Sequence, residues 1–236
     1  MTLSNDSRDR VKGIFEPIAL AMGRAGLTPD ALTLIGFGIT VVGAVLLTQQ
    51  LWLAGGLVVF LGGVFDMFDG TLARATGQVS RLGAFMDSVF DRWGEAFVYL
   101  GLVAGLSAAG WADAPLFAAA AMAGAFMVSY ARARAEGLGF TAGRGLAAVG
   151  VMPREVRLIV LTIGLVLGGL FGTNAAVPAG GFQGAGGAEV PLGIVTIEIA
   201  LGIIVVGATI TTIQRILHVR NQARRQASTH PTETNT

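Results

Sequence analysis

Long apolar stretches separated by short polar segments run through most of the chain. Six of them predict transmembrane helices, because each approaches the roughly 20 residues that cross a bilayer core of about 30 Å. Their predicted limits are about residues 31–48, 51–66, 85–106, 114–130, 156–171 and 192–216. The second stretch reaches full length only if its helix continues through the polar residues after Phe65. The pattern therefore predicts an all-α, polytopic membrane protein.

The segment before the first span has a different pattern. Apolar residues at helical spacing from Val11 to Met22, with cations among them, predict an amphipathic helix over residues 10–25. Such a helix either lies in the membrane interface or packs on the protein, and our fold prediction places it in the interface. Thr28 followed by Pro29 predicts the start of the first span, as a capping residue and a proline at the first helical position.

These elements divide the chain into three parts. Residues 1–27 are predicted to be a cytoplasmic N-terminus with the interfacial helix, and residues 28–220 a six-helix membrane domain. Residues 221–236 are predicted to be a disordered cytoplasmic tail, since the end of the chain is polar. Small residues crowd the second and fourth spans, among them Gly55, Gly62 and Gly124, and they predict close helix packing.

Composition agrees with a membrane protein. Charged residues make up 13% of the chain and hydrophobic residues 53%, with a mean hydropathy of +0.67. Soluble domains carry about 25% charged residues. The chain has no cysteine, which excludes disulfides and thiolate metal sites. From this composition we expect the lipid bilayer, and no nucleic acid, as a partner; the net charge of +1 says little on its own.

The placement of the cations predicts the topology. Six spans put all 16 lysines and arginines on one side of the membrane, together with both termini. The loops near Gln50, at residues 108–115 and at residues 172–191 contain none. By the positive-inside rule the basic side is cytoplasmic, so we expect a multi-pass protein of the cell membrane.

Four aspartates interrupt the apolar pattern at the end of the second span and the start of the third. Asp66 and Asp69 are three residues apart, and Asp87 and Asp91 are four apart, so each pair shares one helical face. Two such faces form an oxygen-rich pocket of the kind that holds hard divalent cations. Since Mg²⁺ favours a few carboxylates together with phosphate oxygens, the acids predict phosphate chemistry at the cytoplasmic face.

The residues beside the acids suit a phosphate ligand. Gly70 and Ala73 are small enough to let a bulky ligand approach the backbone, and Gly83 gives similar access on the next helix. Arg74 offers a planar donor fork for phosphate oxygens. In the alternative reading the aspartates only cap helices and pair with nearby arginines, namely Arg74, Arg81 and Arg92.

This register resembles the signature of the CDP-alcohol phosphotransferases. All eight motif positions are filled: Asp66, Asp69, Gly70, Ala73, Arg74, Gly83, Asp87 and Asp91. The resemblance implies that an alcohol hydroxyl displaces CMP from a CDP-linked lipid such as CDP-diacylglycerol. It also implies two divalent ions, Mg²⁺ or Mn²⁺, and a homodimer.

The resemblance also implies residue roles. Asp66, Asp69 and Asp87 match metal ligands, and Asp91 matches a general base that also touches metal. The nucleotide-side positions match Asp69, Gly70, Ala73, Arg74 and Gly83. Glu95, one further turn along, either orients Asp91 or an active-site arginine, or pairs with Arg92.

Arginines outside the motif indicate which alcohol is the acceptor. Arg154 and Arg157 share a helical face, as an anion clamp requires, and Arg132 and Arg215 are the other candidates for the acceptor phosphate. The run at residues 129–133 and these arginines resemble phosphatidylinositol-phosphate synthases, although Pro153 precedes the arginine pair here. The resemblance implies an inositol phosphate acceptor. In the alternatives the acceptor is glycerol 3-phosphate, or the arginines only mark a basic cytoplasmic loop.

A transporter that binds cations at the acidic cluster is the alternative from another class of function. Transporters more often have broken helices and paired repeats near the middle of the membrane. The sequence shows neither feature, and its acids lie at the predicted cytoplasmic edge. A catalytically inactive relative is a third alternative, against which the complete motif argues.

Overall fold

The structure is a computed structural model that describes residues 5–111, 113–140, 146, 149–172 and 191–229, with the backbone alone at 5–14 and 227–229. Over these residues the chain forms seven α-helices: α1 (Asn5–Arg24), α2 (Pro29–Thr48), α3 (Trp52–Thr76), α4 (Arg81–Ala108), α5 (Ala114–Gly137), α6 (Arg154–Phe171) and α7 (Leu192–Thr229). Residues 173–190 of the cation-free loop at 172–191 lie outside the described residues, and so does the end of the tail at 230–236.

Four of these helices, α2, α3, α5 and α7, are long and apolar enough to cross a membrane. Helices α4 and α6 stand where the third and fifth spans were predicted, but both carry several charges. In α6 three of them, Arg154, Glu155 and Arg157, fall within the first four residues. The prediction of a helical, multi-pass membrane protein is therefore supported, with four rather than six helices apolar enough by composition alone.

The ends of α2 and α3 follow from local chemistry. The Thr28 side chain accepts a hydrogen bond of 3.2 Å from Ala31 N, and Pro29 begins α2, so the predicted start of the first span is confirmed. Helix α3 continues through the motif to Thr76, as the second span required. It stops at Gly77, whose φ of 69° lies in the left-handed region that glycine adopts without strain.

The chain divides into two compact units, residues Met1–Trp111 and Ala112–Thr236. In the first unit, α2 packs closely against α3 and α4 through glycines. A Cβ added at Gly36 would lie 3.4 Å from the backbone nitrogen of Asp66. One added at Gly101 would overlap the carbonyl of Ala44. Helix α2 therefore contacts the backbones of both helices that carry the motif.

Helix α1 belongs to the first unit through an apolar contact with α3. Ala19 is fully buried, and the rings of Phe15 and Phe68 lie 5.2 Å apart. Leu72 of α3 completes this cluster and is 1% exposed. The side of α1 that carries Ile18 is open, with 44% of that residue exposed. One face of α1 therefore packs on the protein. This is the second of the two alternatives considered for this helix, which was predicted to lie in the membrane interface.

The second unit contains α5, α6 and α7, with α7 packed against both of the others. A Cβ added at Gly124 of α5 would lie 3.0 Å from Ala208 Cβ, which confirms close packing at that glycine. Helix α7 continues to Thr229, so the prediction that the tail is disordered from residue 221 is wrong for residues 221–229. These residues are mostly good helix formers, and no glycine or proline interrupts them.

Candidate active site

Three of the four motif aspartates converge in the first unit. Asp66 and Asp69 lie one turn apart on α3, and Asp87 lies in the second turn of α4. One carboxylate oxygen from each lies within 4.8 Å of the others. The structure therefore brings together the two acidic faces that the spacing predicted.

Asp69 is the most enclosed of the three and is held from two directions. Its residue is 7% exposed. Thr33 of α2 donates its hydroxyl hydrogen to Asp69 Oδ2 at 2.5 Å, and the backbone N–H of Gly70 donates to Asp69 Oδ1. Both oxygens thus accept a hydrogen bond, which fixes the direction in which the carboxylate points.

Thr33 is a site residue that the sequence analysis missed. It is 5% exposed and also lies 3.2 Å from the carbonyl oxygen of Pro29, one turn earlier on α2. The available signal was a threonine on a mostly apolar span, which also contains Thr40 and Thr48. That signal is weak, because threonine often bonds to its own helix within membranes.

The three carboxylates suit a divalent cation. Like charges held this close repel one another unless a cation or a proton lies between them. Because the ligand atoms are all carboxylate oxygens, the set fits a hard ion such as Mg²⁺ or Mn²⁺ and not a thiolate-preferring metal. Asp66 and Asp87 are only half-buried, which leaves room for water or ligand oxygens beside the protein ligands.

Asp91 follows Asp87 by one turn of α4 but is not a member of this group of three. Its side chain is 12% exposed, and its Oδ2 lies 3.3 Å from Arg92 Nη2. The pairing with Arg92 foreseen in the alternative reading is therefore present at this aspartate. Glu95, one further turn along, is half-buried.

The small residues of the motif lie beside polar groups of the same unit. A Cβ added at Gly70 would lie 3.1 Å from Arg74 Nη1, so the guanidinium group of Arg74 extends back over this glycine. Arg74 is exposed, and its Nη2 lies 3.5 Å from the hydroxyl of Thr71. Gly83 donates its backbone N–H to Ser80 Oγ at 2.9 Å. Ala73 is half-buried on α3.

The four acceptor candidates lie in the second unit and differ in burial. Arg132 is exposed and paired with Glu136 at 2.9 Å, and Arg154 is half-buried at the start of α6. Arg157 and Arg215 are 2% and 4% exposed. Both donate hydrogen bonds to backbone carbonyls. The arginine set therefore contains two accessible and two buried members.

Comparison with known proteins gives a consistent result. The profile of the CDP-alcohol phosphatidyltransferase family matches residues 26–219. The chain is 37% identical over 156 residues to the archaetidylinositol phosphate synthase of Pyrococcus horikoshii, covering 66% of this chain and 78% of that protein. It is 39% identical over 172 residues to the phosphatidylinositol phosphate synthase of Mycobacteroides abscessus, covering 71% and 75%.

The fold resembles crystal structures of the phosphatidylinositol phosphate synthase of Mycobacterium tuberculosis. The structure with CDP-DAG bound matches with a TM-score of 0.70 at 29% identity, over 87% of this chain and 93% of that one. The structure of the same protein with manganese and citrate matches with a TM-score of 0.69 at 30% identity, over 87% and 88%.

Proposed function

Because the chain belongs to the CDP-alcohol phosphatidyltransferase family, we propose that it moves the phosphatidyl group of CDP-diacylglycerol onto an inositol phosphate and releases CMP. The convergence of Asp66, Asp69 and Asp87 within the family motif is the observation that carries the enzyme class. Relatives named for inositol phosphate products support the acceptor, and the neighbour with CDP-DAG bound supports the donor.

The proposed metal ligands are Asp66, Asp69 and Asp87, with Asp91 as a further ligand that the family resemblance implies. Two ions, Mg²⁺ or Mn²⁺, are proposed, and the neighbour solved with manganese supports a divalent metal. When bound, the cations would neutralise charge on the diphosphate and so favour departure of CMP. The hydroxyl of Thr33 and the N–H of Gly70 fix the orientation of the Asp69 carboxylate.

The reaction requires one proton to move and one bond to be exchanged. The acceptor hydroxyl oxygen forms a bond to the phosphorus that carries diacylglycerol, and the phosphorus–oxygen bond to CMP breaks. Asp91 is the proposed general base that takes the hydroxyl proton, since it lies one turn after Asp87 on α4. Glu95 and Arg92 are close in sequence and would hold Asp91 in position.

The nucleotide side of the proposal rests on the first unit. Arg74 donates to phosphate oxygens of CDP, and the missing side chain at Gly70 leaves space for this guanidinium group. Asp69, Ala73 and Gly83 complete the proposed CDP contacts by family resemblance. In the second unit, Arg132, Arg154, Arg157 and Arg215 are proposed to hold or organise the acceptor phosphate.

The proposed topology has six spans, with α4 and α6 crossing the membrane beside the four strongly apolar helices. Both termini and the acids are cytoplasmic in this proposal, since that arrangement puts all 16 cations on one side. Single cysteines test it without background because the chain has none. A cysteine replacing Ala109 should react with an impermeant maleimide from outside intact cells, and one replacing Val79 should not. Labelling of both from outside would refute the topology.

A panel of acceptors tests the function. The purified protein in detergent, with Mn²⁺ or Mg²⁺ and CDP-diacylglycerol, should release CMP with inositol 1-phosphate and much less with glycerol 3-phosphate, free inositol or serine. Preference for glycerol 3-phosphate would replace the acceptor and keep the enzyme class. Absence of CMP release with every acceptor would favour a cation-binding transporter. The proposed assembly is a homodimer, as the family resemblance implies, and light scattering in detergent checks it.

A further inference from the structure

One face of α7 supports the segment that leads into α6. Gly207, Thr211 and Arg215 are spaced four residues apart, so they lie along one side of the helix. Each of them meets part of segment 149–152, which ends just before Pro153 and α6. We call these three residues the α7 support face.

The strongest contact on this face joins Thr211 to Met152. The backbone N–H of Met152 donates to Thr211 Oγ1 at 2.9 Å, and both residues are buried, at 6% and 0% exposed. Met152 packs its side chain over Gly207, where an added Cβ would overlap the methionine methyl group. A hydrogen bond between two buried groups is costly to lose, because the N–H would be left without a partner.

Gly150 lies against Thr211 with no room for a side chain. Its φ of 127° lies in the region that side chains rarely adopt. A Cβ added there would overlap the methyl group of Thr211 and lie 3.1 Å from its Cβ. Thr211 therefore contacts the segment with its methyl group as well as its hydroxyl.

The two buried arginines hold the carbonyls of the same segment. Arg215 donates from Nε to Val149 O at 3.1 Å and from Nη1 to Val128 O of α5. Arg157 donates from Nη1 to Met152 O at 3.1 Å. Met152 is thus held at its N–H by Thr211 and at its carbonyl by Arg157. Its position connects the threonine to the guanidinium group of Arg157.

From these contacts we infer that Thr211 is a positioning residue for the acceptor: it fixes Met152, and through Met152 it fixes Arg157 and the start of α6 where Arg154 lies. This inference rests on the proposed function, in which these arginines serve the acceptor phosphate. Thr211 itself is fully buried and acts only through the segment. Loss of its hydroxyl should therefore weaken the use of the acceptor and spare the CDP-lipid, whose proposed ligands are in the first unit.

Thr211→Val removes the hydroxyl and keeps the shape. Thr212→Val is the matched control, because Thr212 is the next residue and its hydroxyl donates within α7, to Ala208 O at 2.9 Å. Thr211→Ser keeps a hydroxyl oxygen that can accept the hydrogen bond from Met152 N–H. It should therefore behave like the wild-type protein. Val151 is 54% exposed, so a nitroxide can be attached to a cysteine that replaces it. Electron paramagnetic resonance of this label reports the mobility of the segment.

In bilayer vesicles, Thr211→Val should increase the mobility of the nitroxide, and Thr212→Val and Thr211→Ser should not. In the CMP-release assay, Thr211→Val should raise the KM for inositol 1-phosphate by roughly 3- to 10-fold, the scale of one net hydrogen bond. The KM for CDP-diacylglycerol should stay within about two-fold of wild type, which a general folding defect would not allow.

The two measurements separate the possible failures. Unchanged mobility in Thr211→Val would overturn the inference, and so would raised mobility with no change in the acceptor KM. Equal loss with both substrates, or no rescue by Thr211→Ser, would reduce Thr211 to a folding role and also overturn it. If the unmutated protein releases no CMP with any acceptor, the proposed function fails, and the positioning role fails with it even where mobility differs.

Discussion

The hydrogen bond from Thr33 to Asp69 gives the sharpest test of how the acidic site is organised. Thr33→Val replaces the hydroxyl by a methyl group of similar size, so the packing of α2 against α3 is kept. Asp69 then loses the 2.5 Å bond to its Oδ2 and retains only the bond from Gly70 N–H to Oδ1. The carboxylate becomes free to rotate away from the point where it meets Asp66 and Asp87.

The size of the effect follows from the kind of bond that is lost. Hydrogen bonds to charged groups contribute about 1.5–3 kcal/mol, which corresponds to roughly 10- to 150-fold in an equilibrium constant. Residues that orient metal ligands typically change metal affinity or activity by about 10- to 100-fold when they are replaced. We therefore expect the apparent Mn²⁺ affinity of Thr33→Val to fall by at least about 10-fold.

The assay is CMP release by purified protein as a function of Mn²⁺ concentration. Thr40→Val is the control, since Thr40 lies two turns further along α2 and its hydroxyl bonds to Gly36 O of the same helix at 3.0 Å. Thr33→Ser should restore most of the metal affinity. The reasoning is refuted if Thr33→Val titrates with Mn²⁺ as Thr40→Val does, while both variants melt at the wild-type temperature.

Three further substitutions test the other parts of the site. Asp69→Asn should lower the CMP-release rate by a factor on the order of 10³, because a ligand charge is lost and the single amide oxygen can accept only one of the two hydrogen bonds; activity near wild type would contradict the metal assignment. Gly70→Ala should raise the KM for CDP-diacylglycerol by displacing Arg74. Gly38→Ala should be silent, because among the described residues nothing beyond the helix's own nearby backbone lies within 4 Å of the added carbon. Arg154→Ala should raise the acceptor KM by roughly 10- to 150-fold, measured with inositol 1-phosphate against CDP-diacylglycerol; equal changes for both would refute its role.

Much of the fold could be predicted because it depends on local pattern. Each predicted span coincides with a helix, and Thr28 and Pro29 mark the start of α2 as expected. The errors lie at helix ends, where pattern gives least guidance. Helix α5 continues to Gly137 and α7 to Thr229, each well past its predicted apolar limit. Polar ends of long helices lack the apolar signal that defines a span, yet their residues still favour helix.

The acidic group was predictable because its spacing encodes the geometry directly. Asp66 and Asp69 share a face of α3 by helical periodicity, and the short connection to α4 brings Asp87 close. Thr33 was not predictable in this way. It is separated from Asp69 by 36 residues, and only the packing of α2 on α3 brings the two together. That packing depends on glycines whose partners the sequence does not identify.

The buried arginines show the same limit for charge. The placement of cations predicts which side of the membrane a loop lies on. It does not distinguish an arginine that binds a ligand from one that stabilises a loop. Burying a guanidinium group is costly unless carbonyls or anions accept its hydrogens. Segment 149–152 supplies such carbonyls at Val149 and Met152, outside any helix where they would already be used. The segment and the arginines therefore stabilise each other, and these hydrogen bonds fix the orientation of Arg157 and Arg215. In the proposed function, a guanidinium group already fixed in this way would lose less entropy on binding the acceptor phosphate, so the support from α7 would serve acceptor recognition as well as folding.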